Sequence, residues 1–184
     1  MITVENQLFS LHTRHTSYLF RVMETGHLEH LYYGRKIHPA IDGLMEQHAF
    51  APGNTNIYDS EHLQFSLEDA CLEMSSFGKG DIREPFVELT LSDGSETSDF
   101  LFEKFEQGTG KEEFETLPGS YDESGEVEWL GVTLRDKNSG VILELHYYVY
   151  EDCDVITRSA KLINESGDVV KSVSYTHLTL PTNR

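Results

Sequence analysis

"VILELHYYVY", residues 141–150, sets Val141, Leu143, Leu145, Tyr147 and Val149 at every second position. Successive side chains of a β-strand point to opposite faces, so these five share one face while Glu144 and His146 occupy the other. Ten residues at roughly 3.3 Å each predict a strand of about 33 Å, long for a globular protein and suited to a large sheet. Before it, "VEWLGVTL" (127–134) runs into the turn "RDKNSG". After it, the acidic bend "EDCD" leads to "VITRSAKLIN" and the turn "NESGD". Long strands joined by tight polar turns predict antiparallel hairpins.

The same period recurs toward the N-terminus. "TSYLFRVM" places Tyr18, Phe20 and Val22 on one face, and "PFVELTL" separates Val87, Leu89 and Leu91 from Glu88 and Thr90. "SDG" follows at 92–94, where Gly94 can take the positive φ of a tight turn. "DFLFEKF" alternates Phe100 and Phe102 against Leu101 and Glu103. No strand alternates with an amphipathic helix, which argues against a parallel α/β sheet. The predicted fold is all-β, a large antiparallel β-sandwich. Residues 38–80 keep no sustained period and are read as a long irregular arm, the kind of excursion that often carries function.

With 184 residues, 38% of them hydrophobic and 25% charged, the composition is that of a globular domain. Thirty-two acids against fourteen bases give a net charge of −18. A surface this negative repels phosphate backbones and anionic lipid, so neither nucleic acid nor a membrane is an expected partner. A neutral sugar is compatible with it. Cys71 and Cys153 lack zinc or redox spacing and are read as free thiols of a reducing compartment. "MITVENQLFSLHT" has no secretion-signal character and no run reaches 18 apolar residues, so the expected location is the cytoplasm.

The chain ends differently from how it runs. Every acid lies within the first 168 residues, and the following "SYTHLTLPTNR" resembles the translated read-through of a sequencing adapter. The expected organisation is therefore one domain at 1–172 and a foreign tail at 173–184.

No motif announces chemistry. "HTRH" (His12, His15) and "HLEH" (His27, His30) have HxxH spacing, but residues three apart in a strand face opposite ways, so no metal is predicted. There is no GxSxG elbow, and "GTGKEEFE" (108–115) lacks the GKS or GKT of a phosphate loop and reads as a hairpin turn. No cofactor and no catalytic residue is assigned. The abundant acids mostly occupy turns, where solvation is sufficient explanation. "FGKGDIREP" is more specific: Asp81 and Arg83 beside two glycines and a proline predict a fixed corner tying the arm to the sheet. In "DVITRSA", Arg158 reads as a cross-strand ion partner on a strand's outer face. Trp129 and the tyrosines of "HYYVY" are candidate stacking platforms for a carbohydrate-binding sandwich, although alternation assigns Trp129 to the core.

Several stretches together, "TSYLFRVMETGHLEHLYYGRKI", "HAFAP", "QFSLED", "FGKGDIREPFVELTLSDGS", "TLPGSY" and "YYVYEDCDVITRSAKLINESGD", resemble the N-terminal β-sandwich domain of bacterial α-galactosidases of glycoside hydrolase family thirty-six. The resemblance covers residues 2 to 170. It implies a larger enzyme that removes terminal α-galactosyl residues with retention, its two catalytic Asp residues lying in a (β/α)8 barrel of about 250 residues. Retention needs two carboxyls about 5–5.5 Å apart, and this chain is expected to be inert without them. The resemblance further implies a homo-oligomer, a tetramer, in which the arm reaches a neighbouring subunit's pocket. It places Phe65 beside the bound α-galactoside, and Gln47 where some members carry a galactose-binding Asp. Alternatives are a stand-alone carbohydrate-binding sandwich and a purely structural assembly domain.

Overall fold

The computed structural model describes residues 1–38, 44, 57–111, 119–122 and 125–175. Strands β1 (Ile2–Glu5), β2 (Leu8–His12), β3 (Thr16–Val22) and β4 (Leu28–Arg35) form one antiparallel meander. Strands β6 (Phe100–Thr109), β7 (Glu128–Asp136), β8 (Ile142–Tyr150) and β9 (Val155–Ile163) form a second. Between them in sequence lies β5 (Val87–Thr90), which pairs with β10 (Lys171–Tyr175) in a two-stranded ribbon. Among the described residues the only helical element is a 3-10 turn, Leu67–Asp69. This is the all-β sandwich that the period-two pattern predicts.

One core cluster draws on both large sheets and on the ribbon. Phe9, Leu11, Tyr18, Phe20 and Leu28 come from the first meander; Leu130, Val132, Leu134 and all five predicted positions from Val141 to Val149 come from the second. Phe20 joins them, stacking on Phe9 at 4.7 Å and on Tyr147 at 5.1 Å between ring centres. Burying each such side chain is worth roughly 1.5–3 kcal/mol, so the aromatic seam is a principal source of cohesion. At the β5 turn Gly94 takes φ 83°, as "SDG" requires.

One bulge in each meander alters the simple alternation. Register shifts between Phe102 and Lys104, where β6 pairs with β7. The extra residue returns Phe105 to the side of Phe102, and both rings pack on Phe9, at 5.4 and 6.2 Å. A second shift falls between Leu19 and Phe20 in the β3–β4 pairing.

Trp129 is not in the core. Leu130, Val132 and Leu134 define the inward face of β7, so Trp129, Gly131 and Thr133 lie on the outer one. The β10 ladder, with Ser172 opposite Leu89 and Tyr175 opposite Val87, carries the fold across the boundary expected after 172. The rest of the expected tail, 176–184, lies outside the described residues.

Candidate functional site

The arm is the natural place to look for a site, and its described part, 57–80, is held by three polar anchors. The first is Glu73. This segment runs beside β4, with His30 N–H donating to the Cys71 carbonyl at 2.7 Å and Glu73 N–H to the Leu28 carbonyl at 2.9 Å. The Glu73 carboxylate is thereby carried between the sheets, its side chain only 1% exposed. It accepts from Tyr18 Oη at 2.6 Å, from Tyr147 Oη at 2.8 Å and from His30 Nδ1 at 3.2 Å. Arg158 Nη1 lies 3.1 Å from Oε1, and Nη2 donates to the Glu73 carbonyl at 3.0 Å. Burial pushes the Glu73 carboxyl upward, but the Arg158 charge and the His30 and Tyr18 hydrogen bonds outweigh it and hold the pKa below the ordinary value. Burial drives the Tyr18 and Tyr147 hydroxyls the other way, well above their usual range, so both stay neutral donors.

Arg158 therefore does not stand on an outer face. Its neighbours two residues away, Ile156 and Ala160, pack against the core, and its guanidinium covers the Phe86 ring at 4.6 Å and Tyr147 at 5.6 Å. Its carboxylate partner comes from the arm rather than from an adjacent strand.

The second anchor is Asp99, at the start of the second meander. His27 Nε2 lies 3.0 Å from Oδ1, and Tyr58 Oη donates to Oδ2 at 2.9 Å. The Asp99 carboxylate can only accept, so His27 Nε2 carries the proton, and the Thr25 hydroxyl lies 2.9 Å from Nδ1 on the other side of the ring. Lys79 Nζ completes the group 3.9 Å from Oδ2. Burial raises the Asp99 carboxyl, yet the His27 and Tyr58 hydrogen bonds and the Lys79 charge leave its pKa lowered.

The third anchor is the predicted corner. Arg83 Nε and Nη2 grip Asp81 at 2.8 and 3.0 Å, while Nη1 and Nη2 donate to the Ala70 and Leu67 carbonyls at 2.6 and 2.8 Å. The planar fork thus joins residues before β5 to the 3-10 turn of the arm.

These anchors hold a closed loop at 58–65. Tyr58 N–H donates to the Phe65 carbonyl at 2.9 Å, and Asp59 Oδ1 accepts from the Glu61 and His62 backbone and from His62 Nδ1. Phe65, half-buried, meets the Tyr58 ring edge-on at 6.2 Å. Leu63 beside it is 63% exposed and Ile57 41%. Gln47 lies outside the described residues, so its distance from Phe65 is not part of the geometry.

The histidines take separate partners. His12 faces Ser17 Oγ at 2.8 Å and His15 faces Asp154 Oδ2 at 2.6 Å, while His27 and His30 belong to Asp99 and Glu73. Among the described residues no group of three His, Cys, Asp or Glu could hold a metal ion. The "EDCD" bend is more than a solvated turn. Asp154, at φ 53°, also accepts from Thr13 Oγ1 at 2.8 Å, and hydrogen bonds from His15 bring its pKa down to about 2.

An antiparallel sandwich with an anchored, irregular arm is thus the class that the geometry defines. The family model described as the glycosyl hydrolase family 36 N-terminal domain matches residues 26–184, and the chain belongs to that family. It is 33% identical over 165 residues to the bifunctional alpha-galactosidase/sucrose kinase AgaSK of Mediterraneibacter gnavus, covering 86% of this chain and 17% of that protein. To alpha-galactosidase AgaA of Geobacillus stearothermophilus it is 30% identical over 176 residues, covering 91% of this chain and 23% of that one. The AgaA crystal structure superposes with a TM-score of 0.86 at 28% identity over 91% of this chain and 23% of that chain. The galactosidase domain of AgaSK gives 0.86 at 30% identity, over 95% and 25%. The chain spans about a quarter or less of the length of the relatives it matches.

Proposed function

We propose that the chain is the N-terminal accessory and oligomerisation domain of a retaining α-galactosidase. The two catalytic carboxylates belong to a barrel outside these 184 residues. Its relatives are α-galactosidases, and an AgaA variant has been crystallised with raffinose. In this reading the arm passes to a neighbouring subunit of a homotetramer, where Phe65 lays its ring along the C–H face of a galactosyl residue. Gln47, as donor and acceptor, bonds the sugar hydroxyls. Two exposed free thiols, Cys71 and Cys153, suit the reducing conditions of the cytoplasm.

The observation that carries the proposal is the loop at 58–65. A segment locked internally and at its root, yet presenting Phe65 with exposed Leu63 and Ile57 beside it, is built to be covered by another surface. The test has two arms. The 184-residue chain alone is expected to release no galactose from raffinose or an aryl α-galactoside, and release by the chain itself overturns the reading. In the complete enzyme carrying this domain, Phe65→Ala is expected to lower kcat/KM on raffinose about tenfold or more, the loss of roughly 1.4 kcal/mol, without changing the tetramer. An unchanged kcat/KM removes Phe65 from the pocket.

A further inference from the structure

The outer face of the second meander carries a cavity of about 470 Å³ that neither the arm nor the core explains. This volume falls within the roughly 300–1,000 Å³ usual for small-molecule sites. Among its lining residues is the sole tryptophan, Trp129. A Cβ on Gly108, the cross-strand partner of Trp129, would lie 2.9 Å from the indole Nε1, and one on Gly131 would lie 3.4 Å from Cζ3. Neither glycine has the positive φ that would demand glycine for its backbone. They supply space instead, letting the indole lie against the sheet at the cavity that it lines. Glycine inside a strand costs stability, and such positions mark places where something must approach the backbone closely.

The rim is polar and self-compensated. Lys104 meets Glu106 at 2.8 Å, and Glu144 lies 3.6 Å from both His146 Nε2 and Lys161 Nζ. Lys111 sits 5.4 Å from the centre of the Tyr148 ring. The lining thus sets two lysines, Lys104 and Lys111, against two glutamates, Glu106 and Glu144. With the lining charges equal in number, the site favours a neutral ligand. An apolar ring with hydrogen-bonding groups around its edge suits a molecule with one C–H face and a girdle of hydroxyls. We infer that this cavity is a binding site for a neutral saccharide, distinct from the Phe65 loop, with one sugar ring stacked on Trp129 and its hydroxyls met by Lys104, Glu144 and His146. The site is non-catalytic and goes beyond the accessory role proposed above.

Because Trp129 is the sole tryptophan, its emission reports the site directly. Titrating the chain with D-galactose, sucrose and raffinose is expected to give a saturable shift for at least one of them. Concentrations should reach about 100 mM, a hundredfold above a ~1 mM dissociation constant. Lys104→Ala and His146→Ala, which keep the reporter, should raise the dissociation constant about tenfold or more. Trp129→Phe, followed by calorimetry, should weaken binding while keeping a ring and the fold. The absence of a saturable change with all three sugars overturns the inference. So does a change that survives both rim substitutions undiminished, since it would come from elsewhere in the protein.

Discussion

Glu73 and Arg158, 85 residues apart in sequence, meet as a buried ion pair, and Arg158 also donates to the Glu73 carbonyl. The carboxylate side chain is 1% exposed and the guanidinium 14%. Buried pairs of this kind gain little over an apolar pair of the same shape, but removing one partner strands the other.

Glu73→Ala should therefore destabilise the fold by about 3–5 kcal/mol, read from urea midpoints. Glu73→Gln, which keeps two polar atoms for the tyrosines, should cost less. Equal losses for the two variants would show that the charge itself contributes nothing.

Stability should form a plateau near neutral pH and fall on both sides. The His12 pKa is lowered from 6.5, chiefly by burial and then by Lys36 and the N-terminus. Its contribution is therefore complete above 6.5 and is lost as acid protonates the buried ring. The Glu73 and Asp99 pKa values lie below 4.5 and 3.8. Their contributions are present above those values and disappear as the pH falls through the lower folded ones. Tyr18, Tyr58 and Tyr147, raised above 10.0 by burial and adjacent carboxylates, act at the alkaline end. Their stabilisation is full below 10 and lost as the pH climbs toward their folded values. Denaturant midpoints measured across this range check the shape, and His12→Gln should flatten the first acid shoulder alone.

Arg83→Lys should loosen the arm without unfolding the sandwich. A single ammonium cannot span Asp81, Leu67 and Ala70 at once, so about 1 kcal/mol should be lost. Faster hydrogen exchange confined to the neighbourhood of the 3-10 turn is the expected signature. Global acceleration would contradict a local role.

Gly108→Ala should displace the indole of Trp129, because the new methyl would stand 2.9 Å from Nε1. A shifted emission maximum with little change in melting temperature is expected. Unchanged emission would mean that the ring does not rest on that glycine.

Much of this architecture was legible in the residues. Val141 to Val149 were placed on one face by spacing alone, and all five line the core. The resemblance to family thirty-six and the loss of periodicity after residue 38 marked the arm as a departure from the sheets. Periodicity misled where a second rule competed with it. The bulge after Phe102 changed the phase of β6, and no residue type in "FEKF" announces a bulge. Arg158 was read as outward from its charge, although Ile156 and Ala160, two positions away on either side, already indicated the apolar face. Alternation assigned Trp129 to the core in the wrong phase, since the buried series next to it is Leu130, Val132 and Leu134. Glu73 could not have been picked from thirty-two acids. Its role depends on Tyr18, Tyr147 and Arg158 converging from distant strands.

The anchoring of residues 58–65 bears on how tightly a second molecule can grip them. A floppy projection must surrender its freedom on contact, at roughly 0.5–1.5 kcal/mol for each side chain immobilised. Here Asp99 and Asp59 have already imposed that order during folding. Whatever closes over Phe65 meets a surface frozen in advance, so even a modest footprint can yield a durable complex.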